Sequence, residues 1–432
     1  MIQDLQPLCW MEEGKIDAML ENKLPILLLL LVAAMLTGCQ PGNVPSTAIQ
    51  TTPIPSIERT QEEFSPGNMN QQPQDNPIMP TEKPETRQVI ATVWREAPLV
   101  PILMYHRFSP QTGGSTSRYM TDLAEFDQHL IALNEAGFSL VALQDWLRGE
   151  IHIPEGRRPL IITMDDLFYA DQISLDEDGQ PASYSGIGRL WQFSHENPDF
   201  GFQVALFFNL GDKGYANQYA NGRFTVQEGW RQAQAEAIAW GIENGAIPFN
   251  HFYEHPFLDR LSPDEILWQL TENDRALREA LALVGKEDLS KSLPNILALP
   301  YVVWPVSESG KQILFDYRNP EGAPVAAILE ANTSAYPRLN PAPFSTDFDR
   351  WHISRSNASA EAVRGIINHF EEIPAAETCH LGLLIGDPII HAGIISDAIL
   401  QQVDQSLCPD GYYIVGQQVF HVKEGHLVQY RP

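Results

Sequence analysis

Three features of the sequence predict an α/β chain arranged as a βα barrel or a doubly wound sheet. Short runs such as "LVPILMY", "RPLIITM" and "FQVALFF" are predominantly apolar, as strands buried on both faces are. Amphipathic helical stretches separate them, and the alternation continues for roughly 270 residues. Polar and titratable residues gather just after the runs, where parallel strands end.

The elements follow in order. "LVPILMY" (99–105) opens the pattern, and 122–138 then place Leu123, Phe126, Leu130 and Leu133 on one helix face. Asp122 and Glu125 have capping-box spacing, and Gly137 stands where a helix ends. "FSLVAL" (138–143), "RPLIITM" (158–164), "FQVALFF" (202–208) and "AIPFN" (246–250) read as further strands. "SPDEILWQLTENDRALREALALVG" (262–285) is the clearest helix, with Ser262 as N-cap, Pro263 at the first helical position and Gly285 at the end. "GYYIVGQQVFHVKEGHLVQY" (411–430) reads as a hairpin turning at "KEGH", and no internal repeat is visible.

The ends differ in character. Leu24 to Leu36 form an apolar run after Lys23, shorter than a membrane span and followed by small residues, so 1–38 reads as a signal-peptide region. The acidic residues before Met19 make that methionine an alternative start. "Leu-Thr-Gly-Cys" at 36–39 resembles a lipobox, which implies lipidation of Cys39 and an exported bacterial lipoprotein anchored to the outer side of the cell membrane. Residues 39–96, rich in Pro, Gln, Thr and Asn, read as a disordered linker. The remaining cysteines, Cys379 and Cys408, are either one disulfide or two buried thiols. A net charge of −27 argues against nucleic acid as a partner. The expected organisation is thus leader (1–38), tether (39–96), α/β domain (97–375) and C-terminal extension (376–432), as a monomer.

Candidate chemistry sits at two strand ends. Asp165 and Asp166 directly follow "PLIITM", and His251 and His255 follow "AIPFN". From 12 histidines in 432 residues about 0.3 pairs at that spacing arise by chance, so the pair alone is a weak signal. On a helical turn the two imidazoles would share one side. With Asp166 they make two nitrogens and one carboxylate, a donor set suited to a catalytic metal.

The order of motifs resembles the polysaccharide deacetylases of the NodB-homology group, carbohydrate esterase family four. "VPILMYHRF" (100–108), the helix pattern at 126–138, "TMDDL" (163–167), "FQVALFF", His251 to His255, "LDRLSPDEI" (258–266) and "ALPYVVWP" (298–305) occur in the family's sequence. The resemblance spans about 98–372 and implies a distorted (β/α) barrel with a small C-terminal β-containing extension. It implies that Asp166, His251 and His255 hold a divalent metal, Zn2+ first with Co2+ or Ni2+ as alternatives. Asp165 becomes the general base, the Tyr301 backbone N–H an oxyanion donor, and His106 the candidate acid; His352 and His391 are weaker candidates. The implied reaction removes N-acetyl groups from an extracellular or cell-wall polysaccharide.

Four departures stand against full equivalence. Leu167 replaces a glycine, Met164 a phenylalanine and Val302 another glycine, and the arginine often found before Pro-Tyr is missing. Residues 171–200 read as an acidic, aromatic insertion. Two alternatives therefore stay open: a degenerate glycan-binding or scaffolding lipoprotein of the same fold, and a glycoside hydrolase using one of the two aspartates.

Overall fold

In the computed structural model, seven parallel strands close into a ring. The structure describes residues 88–109, 119–211, 216–220, 223–226, 229–332, 337–384, 410–424 and 426–429, all within the unit Thr81–Pro432. The leader, Cys39, most of the linker, His391 and Cys408 lie outside the described residues. Among the described residues no helix is long and apolar enough to cross a membrane.

In chain order, β1 (Gln88–Trp94) precedes β2 (Leu99–Tyr105), β3 (Arg107–Ser109), β4 (Met120–Asp122), α1 (Leu123–Glu135), β5 (Phe138–Leu140) and α2 (Leu143–Leu147). β6 (Arg158–Leu167), α3 (Gly186–Glu196), β7 (Val204–Phe208), the strands β8 (Ala216–Ala220) and β9 (Arg223–Val226), α4 (Trp230–Asn244) and β10 (Ala246–Asn250) follow. Then come α5 (Pro263–Leu283), β11 (Ile296–Ala298), α6 (Glu308–Asp316), β12 (Ala327–Asn332), β13 (Leu339–Pro341), β14 (Ile353–Asn357) and α7 (Ala360–Asn368). The chain finishes with β15 (Glu377–Leu384), β16 (Gly411–Val415), β17 (Gln418–Lys423) and β18 (His426–Gln429).

The ring runs β2–β6–β7–β10–β11–β12–β14 and returns to β2, every pairing parallel. Neighbours in the chain are therefore neighbours in the barrel, and all seven C-terminal ends share one rim. Alternate residues face the interior, where Ile161, Phe207, Phe249, Leu329 and Ile353 form one buried cluster. The other alternation, Ile162, Met164, Leu206 and Phe208, packs beneath the helices with Phe126, Leu130 and Leu190. By this alternation Thr163 and Asp165 point inward.

The opposite end is closed. β1, β15, β16, β17 and β18 make a five-stranded antiparallel sheet in which β1 pairs with both β15 and β16. Trp94, Trp146, Ile414 and Val419 from this end join the interior cluster. This corrects the expected organisation: Gln88–Trp94, assigned to the linker by its polar, proline-rich surroundings, is a strand of the C-terminal sheet. The C-terminal segment adds a third strand to the expected hairpin, with turns near Gly416 and Glu424. Cys379 on β15 is disulfide-bonded, its partner lying outside the described residues.

Helix ends follow their sequence signals. Ser262 and Glu265 form a reciprocal capping box on α5, with Pro263 opening the helix. Asp122 caps α1 by accepting from the Ala124 N–H, and Glu125 lies 3.5 Å from the ring of His129. The segment 171–200 is not one inserted loop: its second half is α3, an ordinary barrel helix packed with α1. Among the described residues, the extra material between the aspartates and the histidines includes the β8–β9 hairpin after β7.

α5 also carries a buried acid. The Asp274 carboxyl accepts from Tyr317 Oη at 2.6 Å and from Asn250 Nδ2 at 2.7 Å. Burial pushes it up to about 6, with those two hydrogen bonds opposing. A carboxyl raised in the fold stabilises most below its unfolded value, and that contribution fades as pH rises from about 4 to 6. Asp274→Asn removes the titration and can still accept from Asn250, though its amide nitrogen cannot accept from Tyr317; its melting temperature relative to wild type should rise across that window, by the equivalent of about 3 kcal/mol at most. A pH-independent difference in calorimetric melting would contradict this.

Candidate active site

At the open rim, β6 and β10 bring four predicted residues together. The Nε2 atom of His255 lies 3.3 Å from Asp166 Oδ1, and that of His251 lies 3.9 Å from it. One ligand atom from each of Asp166, His251 and His255 falls within 4.8 Å of the others. Bonds of 2.0–2.2 Å to one tetrahedral ion set such atoms about 3.3–3.6 Å apart, so the three need only small movements to converge. Asp165 Oδ2 lies 3.6 Å from His251 Nε2.

The histidine turn is not helical, as the i, i+4 spacing had suggested. After β10 the chain passes through left-handed residues at Phe252 (φ 62°) and His255 (φ 53°). The ring centroids of His251 and His255 still come within 4.7 Å. Asn250 supports the turn by accepting from the Phe252 N–H at 2.9 Å. His251 donates from Nδ1 to the Ala298 carbonyl at 2.9 Å, which leaves Nε2 as a lone-pair donor facing the carboxylates. Burial lowers the His251 pKa, against the pull of Asp165 and Asp166, and so favours the neutral imidazole that ligates metal. These donors fit a divalent cation such as zinc.

Asp165 is buried in the barrel interior and gripped by Arg355 from β14, Nη1 to Oδ1 at 2.5 Å and Nη2 to Oδ2 at 2.9 Å. Burial pushes the carboxyl up, but Arg355, His251 and His106 together outweigh it and hold it below the usual carboxylate range. Arg355 is itself buried over the Phe207 ring, 4.8 Å from its centroid. Arg355, which lies outside the motifs read from the sequence, thus supplies a guanidinium to this carboxylate. Sequence inspection missed it because position 355 faces Asp165 only once β14 closes onto β2.

His106 ends β2, buried, with its Nδ1 unpartnered. Burial lowers its pKa, opposed by the charges of Asp165 and Asp166. Gln172 Nε2 donates to the backbone oxygens of both His106 and Asp165, at 2.8 and 2.7 Å, and so ties β2 to β6. Asp171 accepts from Arg107 Nε at 2.8 Å beside it. The start of the supposed insertion therefore braces the site.

Tyr301 borders the site, its ring 4.4 Å from that of His255 and stacked on Phe257 at 4.0 Å. Tyr119, 55% exposed, sets its ring 5.2 Å from that of His106. Desolvation, then Asp166 and Tyr119, raise the Tyr301 pKa. His352 lies elsewhere, bonded to Glu330 at 3.1 Å and packed on Trp304.

Six described non-glycine residues have positive φ: Asp166, Phe252, His255, Tyr301, Val302 and Glu424. Five of them surround this site, a concentration of strain usual at functional centres. Leu167 is buried in the helix-side core and needs no glycine; a cis peptide joins it to Phe168. Val302 does occupy a glycine's conformation, at φ 62°, costly for a β-branched residue. Val302→Gly should therefore raise stability by about 1 kcal/mol in denaturant melts, and a loss of that size would contradict the strain.

No family model and no curated protein matches this chain. Among solved structures it is similar to the deacetylase PplD of Streptococcus pyogenes in complex with acetate, at 13% identity and TM-score 0.40, over 63% of this chain and 98% of that one. It is similar to IcaB from Ammonifex degensii at 18% identity and TM-score 0.41, over 64% and 98%. A polysaccharide deacetylase from Bacillus cereus shows 11% identity and TM-score 0.39, over 63% and 69%.

Proposed function

We propose that this chain is a metal-dependent hydrolase that removes N-acetyl groups from an extracellular or cell-wall polysaccharide, held at the outer side of the membrane by lipid on Cys39. The observation that carries the reading is the convergence of Asp165, Asp166, His251 and His255 at the barrel mouth. A divalent cation held by Asp166, His251 and His255 would polarise the acetyl carbonyl and acidify water.

The chain's own groups then divide the remaining work. Asp165, kept ionised and aimed by Arg355, is the proton acceptor. His106, neutral at rest because it is buried, becomes able to protonate the leaving amine once it has received a proton from the Asp165 side. The left-handed turn at Tyr301 sets its backbone at the rim, where its N–H is the expected donor to the developing oxyanion. Tyr119 and Tyr301, the latter backed by Phe257, are about half exposed and offer aromatic surface suited to the apolar faces of sugar rings.

Beside an ionised carboxylate such as Asp165, the glycoside hydrolase reading needs a second, protonated carboxyl about 5–9 Å away, and no feature of the sequence nominates one. The degenerate reading rests on the lost glycine and arginine; against it stand the gathered donor set and the guanidinium that Arg355 sets on Asp165.

Purified protein should bind one equivalent of zinc and release acetate from N-acetylglucosamine oligomers, with chelator stopping turnover and zinc restoring it. Bound metal without acetate would favour a glycan-binding protein, and reducing sugar without acetate a glycosidase. Asp165→Asn should lower kcat by roughly 10²–10⁴-fold while metal stays bound, and His255→Ala should lose the metal. Loss of metal from the Asp165 variant would exchange the roles of the two aspartates.

A further inference from the structure

α5 holds a second buried side chain whose bonds all lead to the site. Asn273 is fully buried. Its Nδ2 donates to the Phe208 carbonyl at 2.6 Å and to Asn250 Oδ1 at 2.9 Å, and its Oδ1 accepts from the Leu210 N–H at 3.0 Å. Two oxygens face the amide nitrogen and one N–H faces the amide oxygen, so the reverse orientation is excluded.

These partners are the ends of β7 and β10. Phe208 and Leu210 flank Asn209, whose Nδ2 donates to Asp166 Oδ1 at 3.3 Å. Asn250 precedes His251 and accepts from the Phe252 N–H that starts the left-handed turn. The Phe208 carbonyl also receives the His251 N–H at 2.8 Å, so the two strand ends already touch where Asn273 binds both. One amide therefore sets the spacing between the residue that steadies Asp166 and the turn that presents both histidines.

We infer that Asn273 is a positioning residue for the metal site, fixing the distance between the Asp166 side and the His251–His255 side without touching either. This rests on the metal reading above. Buried groups standing one step behind metal ligands typically change affinity 10- to 100-fold when removed. Asn295 supplies the comparison: it is also buried, and its Nδ2 donates to the Ala323 carbonyl at 3.0 Å on a part of the fold that presents none of the three ligands.

The test measures zinc affinity of the whole protein by chelator competition and the visible spectrum of the cobalt-loaded form, beside thermal melting. Asn273→Ala should weaken zinc binding roughly 10- to 100-fold and alter the cobalt spectrum. Asn295→Ala should lower the melting temperature yet keep zinc affinity within about threefold. Combining Asn209→Ala with Asn273→Ala should cost less than the product of the single losses, because part of the effect passes through Asn209. If Asn273→Ala does not fold, Asn273→Ser, which leaves a hydroxyl for fewer of these bonds, is read by the same criteria. Wild-type affinity in the Asn273 variant, or an equal loss in Asn295→Ala, overturns the inference alone. Absence of zinc binding by wild type overturns the metal reading and this inference with it.

Discussion

Closure of the strand ring through the β2–β6 pairing is the constraint on which the site depends. An open sheet would leave the order of strand ends free; a closed parallel barrel sets every C-terminal end on one rim and sends alternate side chains inward. Asp165 becomes interior by that alternation, and Asp166 leaves the strand in a left-handed conformation at the rim. Two adjacent carboxylates thereby enter different surroundings, one in the barrel and one at its mouth. That separation is what allows them different chemistry.

The buried charge is the costly part of this arrangement. An ion pair inside a barrel is weak evidence for stability, since desolvation takes back much of the attraction. Arg355 and Asp165 meet through two parallel hydrogen bonds, with Phe207 beneath the guanidinium, so neither charge is left uncompensated. The pair is better understood as a device for keeping a carboxylate ionised next to an imidazole that burial holds neutral. Backbone strain is distributed in the same spirit: Phe252, His255, Tyr301 and Val302 all adopt left-handed conformations on loops that face the mouth. Hydrogen bonds from Asn250, and through it from α5, help hold one of those loops in place.

Much of this was legible before any coordinates. Continuous apolar runs marked the barrel strands because both of their faces are buried, and Ser262, Pro263 and Glu265 marked the start of α5 because capping is local chemistry. The two aspartates and two histidines could be nominated because each pair follows its strand directly. Long-range pairing was not legible. "QVIATVW" lies in polar, proline-rich surroundings and becomes a strand only by meeting β15 and β16 nearly three hundred residues later. Arg355 looked ordinary because its facing partner depends on ring closure. Nothing in the sequence singles out Asn273, whose partners are the ends of β7 and β10. The histidine spacing pointed to shared coordination through a helical turn, whereas two left-handed residues achieve that proximity instead.

X-ray absorption at the zinc edge, on protein loaded with one equivalent, reads the central claim directly. The account predicts two imidazole nitrogens and one carboxylate oxygen at about 2.0–2.2 Å, with the imidazole signal lost when His251 and His255 are both replaced. A first shell without histidine, or one unchanged by that double replacement, would contradict it.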